Sequence, residues 1–164
     1  MTDPETTDSA EIEPFLLGSP RSRPAVPRPR VLLADDNGQM CALLAVYLTE
    51  AGYDVVQCAD GFELVERLGS YLLPSSDESY DLVISDIRMP HLSGMEILEG
   101  FQDRVDFPPM ILITAFGDPE THEKARQLGA AAFFDKPFSL QDLVAKVREL
   151  VPIDEESRGS TTSP

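Results

Sequence analysis

From Arg30 to Val151, short unbroken apolar runs alternate with stretches whose apolar residues recur every three or four positions. The runs are Val31-Leu32-Leu33-Ala34, Leu82-Val83-Ile84 and Met110-Ile111-Leu112-Ile113. A strand covered on both faces carries apolar side chains at every position, so these runs predict central strands. Tyr53-Asp54-Val55-Val56 and Ala131-Ala132-Phe133-Phe134 are weaker candidates of the same kind. Between them, Met40, Leu43, Leu44, Tyr47, Leu48 and Ala51 step by three and four, which predicts one helical face closed by Gly52. Phe62, Val65 and Leu68 mark a helix after Asp60-Gly61; Ile97, Leu98, Phe101 and Val105 mark another. Leu140, Leu143, Val144 and Val147 form the last stripe, with Ser139 placed to cap it. Residues 119–128 offer only Ala125 and Leu128 before Gly129, so this helix is expected to be the least anchored of the five.

Five β–α units in about 120 residues imply a parallel sheet with right-handed crossovers and helices on both faces. The fold expected is a doubly wound α/β sheet of five strands in the order 2-1-3-4-5, flavodoxin-like.

The flanks differ. Six of the 14 prolines fall in residues 1–29, which are acidic at first and then basic through Arg21, Arg23 and Arg28. Residues 152–164 are acidic and then rich in Gly, Ser and Thr. Such composition buries too little apolar surface to offset chain ordering, so both flanks are read as tails around one domain, 30–151. The island Ile12-Glu13-Pro14-Phe15-Leu16-Leu17 is a candidate docking motif, its plainer reading being a few apolar residues in a tail.

The net charge of −16 disfavours an electrostatic grip on nucleic acid or an anionic membrane. No run reaches transmembrane length. Cys41 and Cys58 sit among apolar neighbours without CxxC spacing, as expected of buried free thiols in a reducing cytoplasm. Nucleotide-binding glycine loops and Cys/His metal spacings are absent. His91 and His122 follow no strand end and are expected to be solvated and non-catalytic.

Ligands of a doubly wound sheet bind at the carboxyl ends of its strands. There the chain places Asp35 and Asp36, then Asp86, then Thr114, then Asp135 and Lys136. Three crowded carboxylates repel and need either raised pKa values or a cation. All-oxygen donors select a hard divalent ion such as Mg²⁺. An ammonium and a hydroxyl beside them suit phosphoryl transfer.

These residues resemble the receiver domain of two-component response regulators. The likeness is carried by Val31-Leu32-Leu33-Ala34-Asp35-Asp36, by Asp86-Ile87-Arg88-Met89-Pro90 with Ser93-Gly94, by Thr114-Ala115 and by Lys136-Pro137-Phe138. It implies that Asp86 is the phosphoacceptor. It assigns the metal to Asp36 directly, Asp35 through water, Asp86, and the backbone carbonyl of Arg88. It gives Thr114 and Lys136 the phosphoryl oxygens, makes the Lys136–Pro137 bond cis, and puts Phe133 at the switch position, where many members carry Tyr. Arg88 and Phe116 occupy positions that vary in the family and affect phosphoryl lifetime, and their bulk implies slow self-dephosphorylation. The implied partners are a histidine kinase or histidine phosphotransfer protein and a downstream protein, with phosphorylation-dependent homodimerisation a further option. Direct nucleic-acid or membrane contact is not expected. The chain would act as a stand-alone receiver in the cytoplasm, not as an enzyme on other substrates. Two other readings are a small aspartyl-phosphate phosphatase, for which the adjacent Asp35-Asp36 has the wrong spacing, and a receiver-like scaffold that is never phosphorylated.

Overall fold

The computed structural model describes residues 27–75 and 77–154. Five strands, β1 (Arg30–Ala34), β2 (Asp54–Cys58), β3 (Leu82–Asp86), β4 (Met110–Thr114) and β5 (Ala132–Asp135), alternate with five helices. The helices are α1 (Gly38–Glu50), α2 (Gly61–Tyr71), α3 (Gly94–Phe101), α4 (Pro119–Gln127) and α5 (Leu140–Leu150). All strand pairings are parallel and the order is β2-β1-β3-β4-β5, as expected. The island Ile12–Leu17 and most of both expected tails lie outside the described residues. Pro29 accepts a hydrogen bond from the Asp54 amide at 2.9 Å, and Ile153 packs on the core.

The three unbroken runs form the middle of the sheet, and every residue of β3 and β4 is buried. Strand side chains alternate between faces, so each strand feeds two cores. Val31, Leu33, Leu82, Ile84, Ile111 and Ile113 pack with α1 and α5. Leu32, Ala34, Val83, Met110 and Leu112 pack with α2 and α3. Ala125 is the one buried residue of α4, in keeping with its thin apolar stripe.

Side-chain oxygens start the helices. Asn37, Asp60, Ser93, Asp118 and Ser139 each accept from a backbone amide two or three residues ahead, and Ser93 with Glu96 closes a reciprocal capping box. Gly52 (φ 109°) and Gly129 (φ 88°) follow α1 and α4 in the left-handed conformation that lets a chain leave a helix.

Three stripes are corrected. In α1 the buried face is Cys41, Leu44, Ala45 and Leu48, while Leu43 and Tyr47 are exposed along with Val46. This helix is apolar nearly all round, so spacing alone offers more than one stripe; the sheet takes the one whose small residues allow close approach. In α2 the buried pair is Leu64 and Leu68, and Phe62 lies outside, stacked on His91 at 4.6 Å between centroids. After α3, Val105 is fully exposed because the helix ends at Phe101.

Both cysteines are buried and free. Burial pushes the Cys58 thiol up to about 12 and raises Cys41 as well. Cys58 is therefore expected to resist a disulfide reagent in the native protein at pH 8 and to react only on unfolding, which absorbance of the released thiolate would follow.

Candidate functional site

The strand ends bring the site together. Asp86 and Thr114 are the last residues of β3 and β4, Asp35 follows β1, and Lys136 follows β5. Register holds them level: Asp86 pairs with Ile113, Thr114 pairs with Asp135, and the Lys136 amide donates to the Thr114 carbonyl at 2.7 Å. Asp35, Asp86 and Thr114 are 2%, 6% and 1% exposed, while Asp36 is open to solvent.

One carboxylate oxygen from each of Asp35, Asp36 and Asp86 lies within 4.8 Å of the others. Lys136 Nζ donates to Asp86 Oδ2 at 2.8 Å and to Asp35 Oδ2 at 3.2 Å. The remaining oxygens of the two buried carboxylates take backbone amides: Asn37 donates to Asp35 Oδ1 at 2.8 Å, and Arg88 to Asp86 Oδ1 at 3.0 Å. Thr114 Oγ1 accepts from the Phe116 amide at 3.2 Å, which leaves its own hydroxyl proton to donate. The Lys136–Pro137 bond is cis. Gly94 lets α3 close on the site: an added Cβ would stand 2.5 Å from the Asp86 carbonyl oxygen.

Burial raises the Asp35 pKa, and the Asp86 charge adds to it, against the Asn37 amide and Lys136. Burial also opposes the Lys136 ammonium, but the hydrogen bond and charge of Asp86, with those of Asp35, outweigh it and hold Lys136 above its ordinary value. A buried all-oxygen cluster with one exposed member suits a hard divalent cation. Two residues past Asp86 and Thr114, the Arg88 guanidinium covers the Phe116 ring at 4.3 Å, and Phe116 is 65% exposed.

The response regulator receiver domain model matches residues 31–148. This chain belongs to that family. The receiver is 36% identical over 140 residues to the transcriptional regulatory protein PdtaR of Mycobacterium tuberculosis, covering 80% of this chain and 64% of PdtaR. It is 34% identical over 121 residues to a response regulator of Streptococcus pneumoniae, covering 74% of this chain and 52% of that one. The chain thus spans between half and two thirds of these relatives' length. Among solved structures, a Francisella response regulator receiver domain superposes with a TM-score of 0.67 at 26% identity, over 75% of this chain and 96% of that one. TrrA of Thermotoga maritima, in complex with Mg²⁺ and BeF, gives 0.64 at 29% identity over 75% and 99%. No helix among the receiver's described residues is long and apolar enough to cross a membrane.

His122, expected to be solvated and non-catalytic, is half-exposed and also held by neighbours. It is not simply solvated: Nε2 lies 2.9 Å from Asp135 Oδ2, and the ring leans on Phe133 at 4.0 Å between centroids. Its signal in the sequence was faint, since no spacing rule joins a residue of α4 to β5. His91 stays in its loop, at φ 72°.

A raised carboxyl pKa opposes folding above that pKa, and the penalty fades as pH falls through it. Asp35→Asn keeps an acceptor for the Asn37 amide and removes a buried charge that Asp86 repels. In EDTA at pH 7.5 it is expected to stabilise the fold on the order of 1 kcal/mol, read as a higher Tm, and to abolish the Tm gain from added Mg²⁺. The raised Lys136 contributes stability that is complete below its unfolded pKa and lost as pH climbs through the folded value.

Proposed function

We propose that this receiver is a phosphorylation-operated switch that takes a phosphoryl group onto Asp86 from the phosphohistidine of a histidine kinase or phosphotransfer protein. The observation that carries the reading is Lys136 Nζ held between Asp86 and Asp35, with the Asp36 carboxylate beside them. An Asp86 carboxylate oxygen attacks phosphorus; the O–P bond forms as the donor's N–P bond breaks, and the imidazole leaves with that electron pair. Asp35, Asp36, Asp86 and the Arg88 carbonyl are the groups that would hold Mg²⁺, which supplies charge neutralisation at the phosphoryl oxygens. Lys136 takes one of those oxygens with its ammonium and Thr114 another with its free hydroxyl proton. To do so the Thr114 segment draws inward, and Phe133 follows into the space beside it. Phe133 lacks a hydroxyl, so it signals by packing alone.

Protein donors need a surface beside this site. Leu43, Val46 and Tyr47 are exposed on α1. A groove of about 370 Å³, lined by Met40, Leu43, Lys136, Pro137, Phe138 and Leu140, runs from that helix to the site lysine. We place the donor there. The receiver acts in the cytoplasm, assists only its own phosphorylation and dephosphorylation, and passes the signal to a further protein.

Acetyl phosphate with Mg²⁺ is expected to add one phosphoryl group per chain, located at Asp86 by mass spectrometry and lost in Asp86→Ala. No label from acetyl phosphate or any kinase would support the scaffold reading, and turnover of a phosphate ester beyond one equivalent the phosphatase reading. Leu43→Glu should slow transfer from a protein donor about tenfold and leave acetyl phosphate labelling unchanged. Arg88 and Phe116, stacked at 4.3 Å two residues past Asp86 and Thr114, are the side chains we assign to restricting an attacking water. Label on Asp86 should therefore outlast seconds in the wild type and decay faster in Phe116→Ala, measured after removal of the donor.

A further inference from the structure

The thinly anchored α4 is tied to the sheet by polar contacts. His122, one turn into that helix, directs Nε2 at both oxygens of Asp135, at 2.9 and 3.1 Å, across the edge of β5. Its ring covers the face of Phe133 at 4.0 Å, tilted by 36°. Asp135 stands directly before Lys136 and pairs in register with Thr114, so the carboxylate that His122 grips adjoins one of the groups that would take phosphoryl oxygens and lies beside the other. Gly117 leaves room for this contact: an added Cβ would strike Asp135 Oδ1 and come within 2.9 Å of His122 Nε2.

We propose that His122 and Asp135 form a latch that holds α4 and Phe133 in the unphosphorylated arrangement, which makes His122 a positioning residue for the switch. The inference rests on the phosphoacceptor reading of Asp86. For Phe133 to follow Thr114 inward, its ring must slide from beneath the imidazole. For α4 to shift, Asp135 must give up its hydrogen-bond partner. Both motions cost the same contact, so the latch couples them and raises the threshold for switching. Since α4 buries only Ala125, apolar packing offers the helix little other hold.

The test titrates the full chain with beryllofluoride and Mg²⁺, alongside amide exchange of α4 without ligand. His122→Ala and Gly117→Ala, one deleting the imidazole and the other crowding the pair, are both expected to lower the half-saturating beryllofluoride concentration about threefold and to speed α4 exchange. His122→Gln, which keeps a hydrogen bond to Asp135 and loses the ring over Phe133, should fall between. Variants that match the wild type in α4 exchange and in beryllofluoride affinity, or that bind more weakly, would overturn the latch. A wild type that neither binds beryllofluoride nor takes label would overturn the phosphoacceptor reading instead, and α4 exchange alone would then decide whether His122 holds the helix.

Discussion

Three carboxylates at one edge of a sheet repel one another, and a single ammonium between two of them is what this protein sets against that repulsion. The rest of the structure serves that arrangement. Parallel strands are needed because only they deliver Asp35, Asp86, Thr114 and Lys136 to the same edge from separate parts of the chain. Fully buried β3 and β4 are needed because a charged cluster is held in place only by walls that do not yield. Backbone amides of Asn37 and Arg88 complete the buried carboxylates, so neither Asp35 nor Asp86 depends on Lys136 alone.

The same balance makes the site responsive. A cluster relieved in part by one lysine gains from any further positive charge and must rearrange when a phosphoryl group adds negative charge. Thr114 and Lys136 stand at the ends of β4 and β5, next to α4, which buries Ala125 alone. Burial is thus graded across the molecule: the middle of the sheet is fully buried, while α4 buries Ala125 alone and meets β5 through the half-exposed His122–Asp135 pair.

Part of the exposed apolar surface lies away from α4. Leu43, Val46 and Tyr47 stand on α1, on the opposite side from α4 and beside the groove that Lys136 shares with the site. On the function proposed above, the face that meets the phosphodonor and the face that carries the signal are different surfaces.

Much of this was legible in the chain as written. Unbroken apolar runs marked the central strands because burial on both faces leaves no polar position. The acids, threonine and lysine just past those runs marked the site, because a parallel sheet must bring strand ends together. Tertiary structure alone decided three matters. It chose Cys41, Leu44, Ala45 and Leu48 over Leu43 and Tyr47 as the inner face of α1, a choice that spacing leaves open when a helix is apolar nearly all round. It turned Phe62 outward and Leu64 inward on α2. It also set His122 against Asp135 and Phe133, a contact between a helix and a strand whose distance no local periodicity encodes. Local pattern reports how much of each element is buried and where strands stop; which side chains meet across elements depends on how those elements pack.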